Sequence, residues 1–284
     1  MTKKKQISIA FSPDTDDAFM VHALRAGLLT SDEYELSFTA ADIQQLNRAA
    51  VDGTYDVTAI SIAAYPHLTS QYLLMPIGAS IGDDFGPAII VSPDSPLTKP
   101  ADLAGRRVAV PGLQTSAFFA ARGLIGDFTA VPMSFLDISD AVLSGEVDAG
   151  ILIHELQLNC EQRGLKKIGD LGLMWSERFQ LPLPLGANAI KRDLGDKVIA
   201  DITSLMRRSI EVGLANRQET LLEAMKSSQA DLDEAHGDKY ISMYVNRRSL
   251  ALQADVREAI TRLFTIGQDA GLCAPVDLGA ALYE

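Results

Sequence analysis

Apolar positions along the chain follow two rhythms. Short, mostly apolar runs at 7–11 (ISIAF), 88–91 (AIIV), 107–110 (RVAV) and 151–153 (ILI) predict buried strands, each bounded by polar residues, Gly or Pro. A further strand is expected around 186–190, after the extended, proline-rich LPLPLG. From Asp196 onward the spacing changes to three and four residues, as in VIADITSLMRRSIEVGLANRQETLLEAM, and the chain turns almost wholly helical. A last helix fits LQADVREAITRLFTIGQDAG, closed by Gly271.

The pattern echoes itself. ISIAFSPDTDDAFMVHAL and RRVAVPGLQTSAFFAARGL both run strand, turn, helix, and each helix start offers Asp, Ser or Thr as a cap. A second echo pairs VDGTYDVTAISIAAY with LSGEVDAGILIHELQ. The shared order is a helix, a Gly C-cap (Gly53, Gly145), a turn aspartate (Asp56, Asp148) and a buried strand. The first copy ends near Ser61, the second near His154. Two α/β lobes of similar build follow, with crossings near GPAIIVSPDSPLTKPADLAGR and LPLPLGANAIKRDLG. One lobe is expected to be discontinuous, 1–91 plus 188–284, and the other continuous, 92–187, with a ligand cleft between them.

Composition narrows the possible partners. At 284 residues, 47% hydrophobic and 22% charged, the chain has material for two well-filled lobes. A formal charge of −12 argues against nucleic acid, yet allows a small anion held by a local dipole. The N-terminal lysines imitate a signal peptide, but the apolar run after them is short and acidic residues follow it. No stretch approaches the length of a membrane span. Cys160 and Cys273 make neither a disulfide framework nor a CxxC site. A cytoplasmic protein without nucleic-acid or membrane partners is expected.

The sharpest chemical candidate is His154, delivered at the end of the run ILI. A neutral imidazole there can take a proton from a substrate and return it, or can equally serve as a structural histidine bonded to a carbonyl. Glu155 points to the opposite face if the strand continues through it. Thr115 and Ser116, directly after Pro111-Gly112, put hydroxyls and amides at a helix start, which suits either plain capping or a carboxylate. Asp14, Asp16 and Asp17 crowd the other helix start, where the dipole favours them as caps and where they can accept from sugar-like hydroxyls. A metal cluster is a further reading, though DTDD lacks the spaced ligands and Gly of a calcium loop. Asn47 and Ser61 are small polar residues near the ends of the first lobe's elements. Trp175 suits a flat ligand or packing between lobes. Arg207-Arg208 and Arg247-Arg248 read as solvated. No HxH, HExxH, GxGxxG or GxxxxGK[ST] pattern occurs, so neither a metal nor a nucleotide is indicated.

Several of these segments, taken in order, carry a family likeness. They are Ser12, Pro13, Asp17 and Phe19 near the N-terminus, Leu46-Asn47-Arg48, Ser61 with Ala63-Ala64-Tyr65, and Gly86-Pro87. They continue with VAVPG and Thr115, Ile153-His154-Glu155, LPLPLG, the RRS at 207–209 and the YVN at 244–246. Together they resemble the 1,4-dihydroxy-6-naphthoate synthases of the futalosine route to menaquinone, along nearly the whole chain. The resemblance implies an α/β, two-lobed type II periplasmic-binding-protein-like fold. It implies a lyase without cofactor, releasing 1,4-dihydroxy-6-naphthoate from cyclic dehypoxanthinyl futalosine, a small aromatic carboxylate. It implies His154 as general base and Asn47, Ser61, Thr115, Ser116 and Asp17 as substrate-binding residues. Members commonly read SPCPNDTF where residues 12–19 here read SPDTDDAF. Two other functions share the fold: a solute-binding protein for a small carboxylate, which needs no base, and a chorismate dehydratase-like enzyme.

Overall fold

The computed structural model describes residues 3–228 and 233–283. In chain order its strands begin with β1 (Lys5–Phe11), β2 (Tyr34–Ala40), β3 (Val57–Ser61), β4 (Tyr72–Leu74), β5 (Ser80–Gly82) and β6 (Ala88–Val91). They continue as β7 (Arg107–Val110), β8 (Thr129–Pro132), β9 (Ala149–Leu152), β10 (Lys166–Asp170) and β11 (Leu183–Lys191). The helices begin with α1 (Thr15–Arg25), α2 (Ile43–Val51), α3 (Ser116–Ile125), α4 (Ile138–Leu143), α5 (Leu156–Asn159) and α6 (Leu171–Phe179). They end with α7 (Asp196–Ala215), α8 (Arg217–Met225), α9 (Glu234–Tyr244), α10 (Arg247–Leu250), α11 (Ala254–Asp269) and α12 (Leu278–Ala281).

The chain divides into two compact units. The first takes Met1–Ser80, Gly186–Gln253 and Val276–Glu284; the second takes Ile81–Leu185 and Ala254–Pro275. Two segments thus fall on the other side of the division from where the sequence pattern put them. Strand β6 is hydrogen-bonded to β9 and β10, which are strands of the second unit. Helix α11 packs on α3 through two glycines. A Cβ on Gly123 would stand 2.5 Å from Ile266, and one on Gly267 would stand 2.4 Å from Phe119. Glycine at both positions lets the helices approach closely.

In the first unit the strand order is β2-β1-β3-β11-β4, with β1 parallel to β2 and β3, and β11 antiparallel to its neighbours. Ile7, Ile9, Val57 and Ile190 meet Ile202 and Met206 of α7 in one buried cluster. Phe11, Phe19 and Val21 meet Ile210, Leu221 and Ile241 in another. Each such side chain contributes about 1.5–3 kcal/mol by leaving water. In the second unit the order is β10-β6-β9-β7-β8, with β8, β7 and β9 mutually parallel.

The internal echo has a hydrogen-bonded basis. In the first unit Asp56, one residue before β3, accepts from the Ser8 amide at 2.9 Å and the Ser8 hydroxyl at 3.0 Å. In the second, Asp148, one residue before β9, accepts from the Arg107 amide at 2.8 Å. Each aspartate thereby sets the register of a strand beside its parallel neighbour. Asp56→Ala strips the Ser8 amide of its acceptor and removes the ion pair to Lys191 at 3.5 Å. A loss of about 2 kcal/mol is expected, read from urea unfolding, with a smaller loss for Asp148→Ala.

His22, on α1, is buried, and its pKa lies below 6.5 because burial and then the neighbouring Arg25 disfavour the charged ring; Glu223 and Glu219 offset part of this. Between the folded midpoint and 6.5 the unfolded chain binds more protons than the folded one. The stability from His22 is therefore complete above that window and is lost as pH falls through it. His22→Gln is expected to flatten the decline in urea-derived stability over roughly pH 7 to 5.

Candidate functional site

Three parallel strands of the second unit, β8, β7 and β9, send their C-terminal ends to one edge of the sheet. In open α/β sheets ligands are met at that edge. Here it carries the loop 111–115 after β7, the turn 133–137 after β8, and residues 153–155 after β9.

His154 stands in the last of these. The pattern ILIHE predicts that the strand itself delivers His154, but β9 ends at Leu152. The reason lies in its neighbour. Leu152 pairs with Ala88, so the next rung would need Pro87, which has no amide. The Pro87 carbonyl accepts instead from Leu171 at 2.9 Å. Released from the ladder, the chain turns, and His154 takes φ 55°, the left-handed region. For a residue other than Gly or Asn this costs about 1–2 kcal/mol. Such strain gathers where function requires a fixed geometry. The His154 carbonyl accepts from Gln157 at 3.3 Å, and its imidazole meets the Phe135 ring edge-to-face, centroids 4.8 Å apart at 74°. Glu155 lies in the turn, 1% exposed, and not on a strand face. Cys160 is buried and its thiol is pushed up by that burial, which leaves it a poor nucleophile.

Thr115 and Ser116 open α3 as predicted, with their hydroxyls engaged. Thr115 caps the helix, accepting from the Phe118 amide at 3.3 Å and donating to the Gly112 carbonyl at 2.7 Å. Ser116 donates to the Leu185 carbonyl at 2.6 Å. Both side chains are buried, so what they build is the start of the helix, with its dipole.

In the first unit, Asn47 and Ser61 come together. Asn47 is fully buried on α2; its amide group donates to the Ser61 hydroxyl at 3.1 Å, and its carbonyl accepts from the Ser61 amide at 2.8 Å. Asp17 accepts from the Ser12 amide at 2.9 Å, closing the loop that leads into α1, while Asp14 caps that helix at 3.4 Å. Asp16 is buried and accepts from the Ser80 hydroxyl at 2.6 Å.

Other candidates lie apart from this chemistry. Trp175 is wholly buried, its ring 4.7 Å from that of Phe179 on the same helix. Arg248, expected in solvent, is buried and donates to Gln253 at 3.0 Å. Among the described residues no group of three or more His, Cys, Asp or Glu side chains is placed to hold a metal, and no helix is long and apolar enough to cross a membrane. Phe135 belongs to no motif in the chain. Its one signal was its place just after β8, at the edge shared with His154.

Known proteins share this architecture. The alkanesulfonate-binding protein SsuA of Xanthomonas axonopodis pv. citri, solved bound to MOPS, superposes with a TM-score of 0.77 at 15% identity, covering 100% of this chain and 99% of SsuA. The fold is therefore that of the periplasmic binding proteins. A crystallised protein of Archaeoglobus fulgidus is nearer, at TM-score 0.88 and 40% identity, with 94% of this chain and 98% of that one covered.

Sequence comparison gives the family. A family model described as menaquinone biosynthesis matches residues 7–269. A Thermus thermophilus protein named 1,4-dihydroxy-6-naphtoate synthase is 35% identical over 269 residues, covering 95% of this chain and 96% of its own. One of the same name from Streptomyces coelicolor is 32% identical over 274 residues, covering 94% of each. The chain belongs to this menaquinone-biosynthesis family, and it is an enzyme.

Proposed function

We propose that the protein is a carbon–carbon lyase that forms 1,4-dihydroxy-6-naphthoate from cyclic dehypoxanthinyl futalosine, with His154 as general base. The observation that carries this reading is the placement of His154: a strained left-handed turn at the C-terminal edge of the second unit's sheet, its ring packed on Phe135. An imidazole there removes a proton from a substrate hydroxyl or an acidified carbon. The resulting electron pair drives fragmentation of the adjacent carbon–carbon bond, and a returned proton completes the sugar-derived fragment. Aromatisation of the remaining ring supplies the driving force, so the protein's task is to orient the substrate and move protons. No redox step or cofactor enters this sequence.

The geometry within each unit supports the remaining assignments. Thr115 and Ser116 act through the helix start they build, whose dipole suits the substrate carboxylate, and not by giving up their own hydroxyl protons. Ser61 accepts from Asn47 and keeps its own hydroxyl proton to donate, and Asp17 shapes the loop at 12–17. Incubation of the purified protein with cyclic dehypoxanthinyl futalosine tests the proposal. Appearance of the naphthoate chromophore at many turnovers per protein is the expected result. Saturable binding without product would make it a solute-binding protein, and product from a chorismate substrate alone would place it with the dehydratases.

A further inference from the structure

We propose that Phe135 is a positioning residue, whose buried ring holds the His154 imidazole in the orientation from which it takes the substrate proton. This rests on His154 being the base. Phe135 is only 6% exposed, and its turn is pinned on both sides. The Met133 amide donates to the Val110 carbonyl of β7 at 3.1 Å, and Asp137 closes the turn onto Ser134 at 3.0 Å. Helix α4 follows at once and lies against β9: a Cβ on Gly150 would stand 2.5 Å from Ile138. The turn that carries Phe135 is thus tied to β7 and, through α4, lies against β9, two of the strands whose ends make the site edge.

His154 itself stands beyond its strand and is only partly buried, so its backbone alone does not settle where the ring points. The edge-to-face contact at 4.8 Å and 74° is one constraint on it. Aromatic pairs of this geometry are favourable beyond simple burial. A phenyl ring neither donates nor accepts, so it orients the imidazole without competing for its nitrogens. Catalytic groups must be held within about 10–20° of their working geometry, and a misplacement of about 1 Å can lower a rate about a hundredfold.

The test compares F135L, F135M and F135Y with the unchanged chain and with H154N, using cyclic dehypoxanthinyl futalosine. F135L and F135M are each expected to lower kcat about 10- to 100-fold with KM held within about twofold, while F135Y stays within about threefold of the parent. In protein carrying labelled histidine, the His154 ring-proton resonances should shift in F135L and F135M, because the aromatic ring current beside them is gone. Thermal transitions establish that each variant folds; F135M serves if F135L does not. Unchanged kcat in the folded Leu or Met variant overturns the proposal, as does a rise in KM alone or a loss in F135Y equal to that in F135L. Turnover in H154N within about tenfold of the parent overturns the base assignment and this proposal with it. An H154N slowed about a thousandfold beside fully active Phe135 variants overturns this proposal alone.

Discussion

His154→Asn is expected to lower turnover by at least about a thousandfold while leaving the protein folded and able to bind its substrate. Loss of a positioned general base costs about 10²–10⁴ in rate, and here the base starts the whole fragmentation. Asparagine is the informative replacement because it tolerates the left-handed backbone that His154 adopts at φ 55°. The strain of about 1–2 kcal/mol that a histidine carries there is partly relieved. Stability is therefore expected to stay level or rise slightly, by up to about 1 kcal/mol. A rise in stability joined to a loss of turnover marks a residue kept for chemistry. Steady-state kinetics, urea unfolding and titration calorimetry on the same preparation read the three quantities.

Asn47→Ala is expected to be the most damaging single truncation among the polar residues of the first unit. Asn47 has no exposure, and its side chain both donates to and accepts from Ser61. Removing it leaves the Ser61 amide and hydroxyl buried without that partner, at about 1–3 kcal/mol for each unsatisfied group. A loss of about 2–4 kcal/mol is expected in urea unfolding, and KM should rise because Ser61 is no longer held. Ser61→Ala keeps the backbone bond to Asn47 and should cost only about 1 kcal/mol. If Ser61 donates to the substrate, Ser61→Ala will raise KM while stability changes little. Equal destabilisation by the two substitutions would mean that the pair is structural only.

Much of this could be read in the residues, and the failures have identifiable causes. The strand at 88–91 and the strand at 107–110 match β6 and β7 residue for residue. Strong apolar runs between turn residues leave little choice there. The helix start at Thr115-Ser116 was equally legible, because capping chemistry is local. The end of β9 was not, since Leu152 is its last residue only because Pro87 lies opposite, 65 or so positions back in the chain. Nor was the unit to which α11 belongs: that depends on Gly123 meeting Ile266 and Gly267 meeting Phe119, a pairing no local pattern shows. Thr115 and Ser116 were correctly placed, yet their hydroxyls turn to the carbonyls of Gly112 and Leu185, partners set by tertiary structure. Phe135 was hidden differently. In sequence it is one more core aromatic, and only the ring beside it gives it a role.

The measurement that bears most directly on His154 as base is the pH profile of kcat/KM set beside the titration of His154 itself, followed by NMR of the labelled ring in the free enzyme. The reading predicts that kcat/KM falls on the acid side with the same midpoint as the His154 ring, and that the residual rate of His154→Asn lacks that limb. An acid limb that survives in His154→Asn, or a kcat/KM that stays flat while His154 titrates, would contradict it.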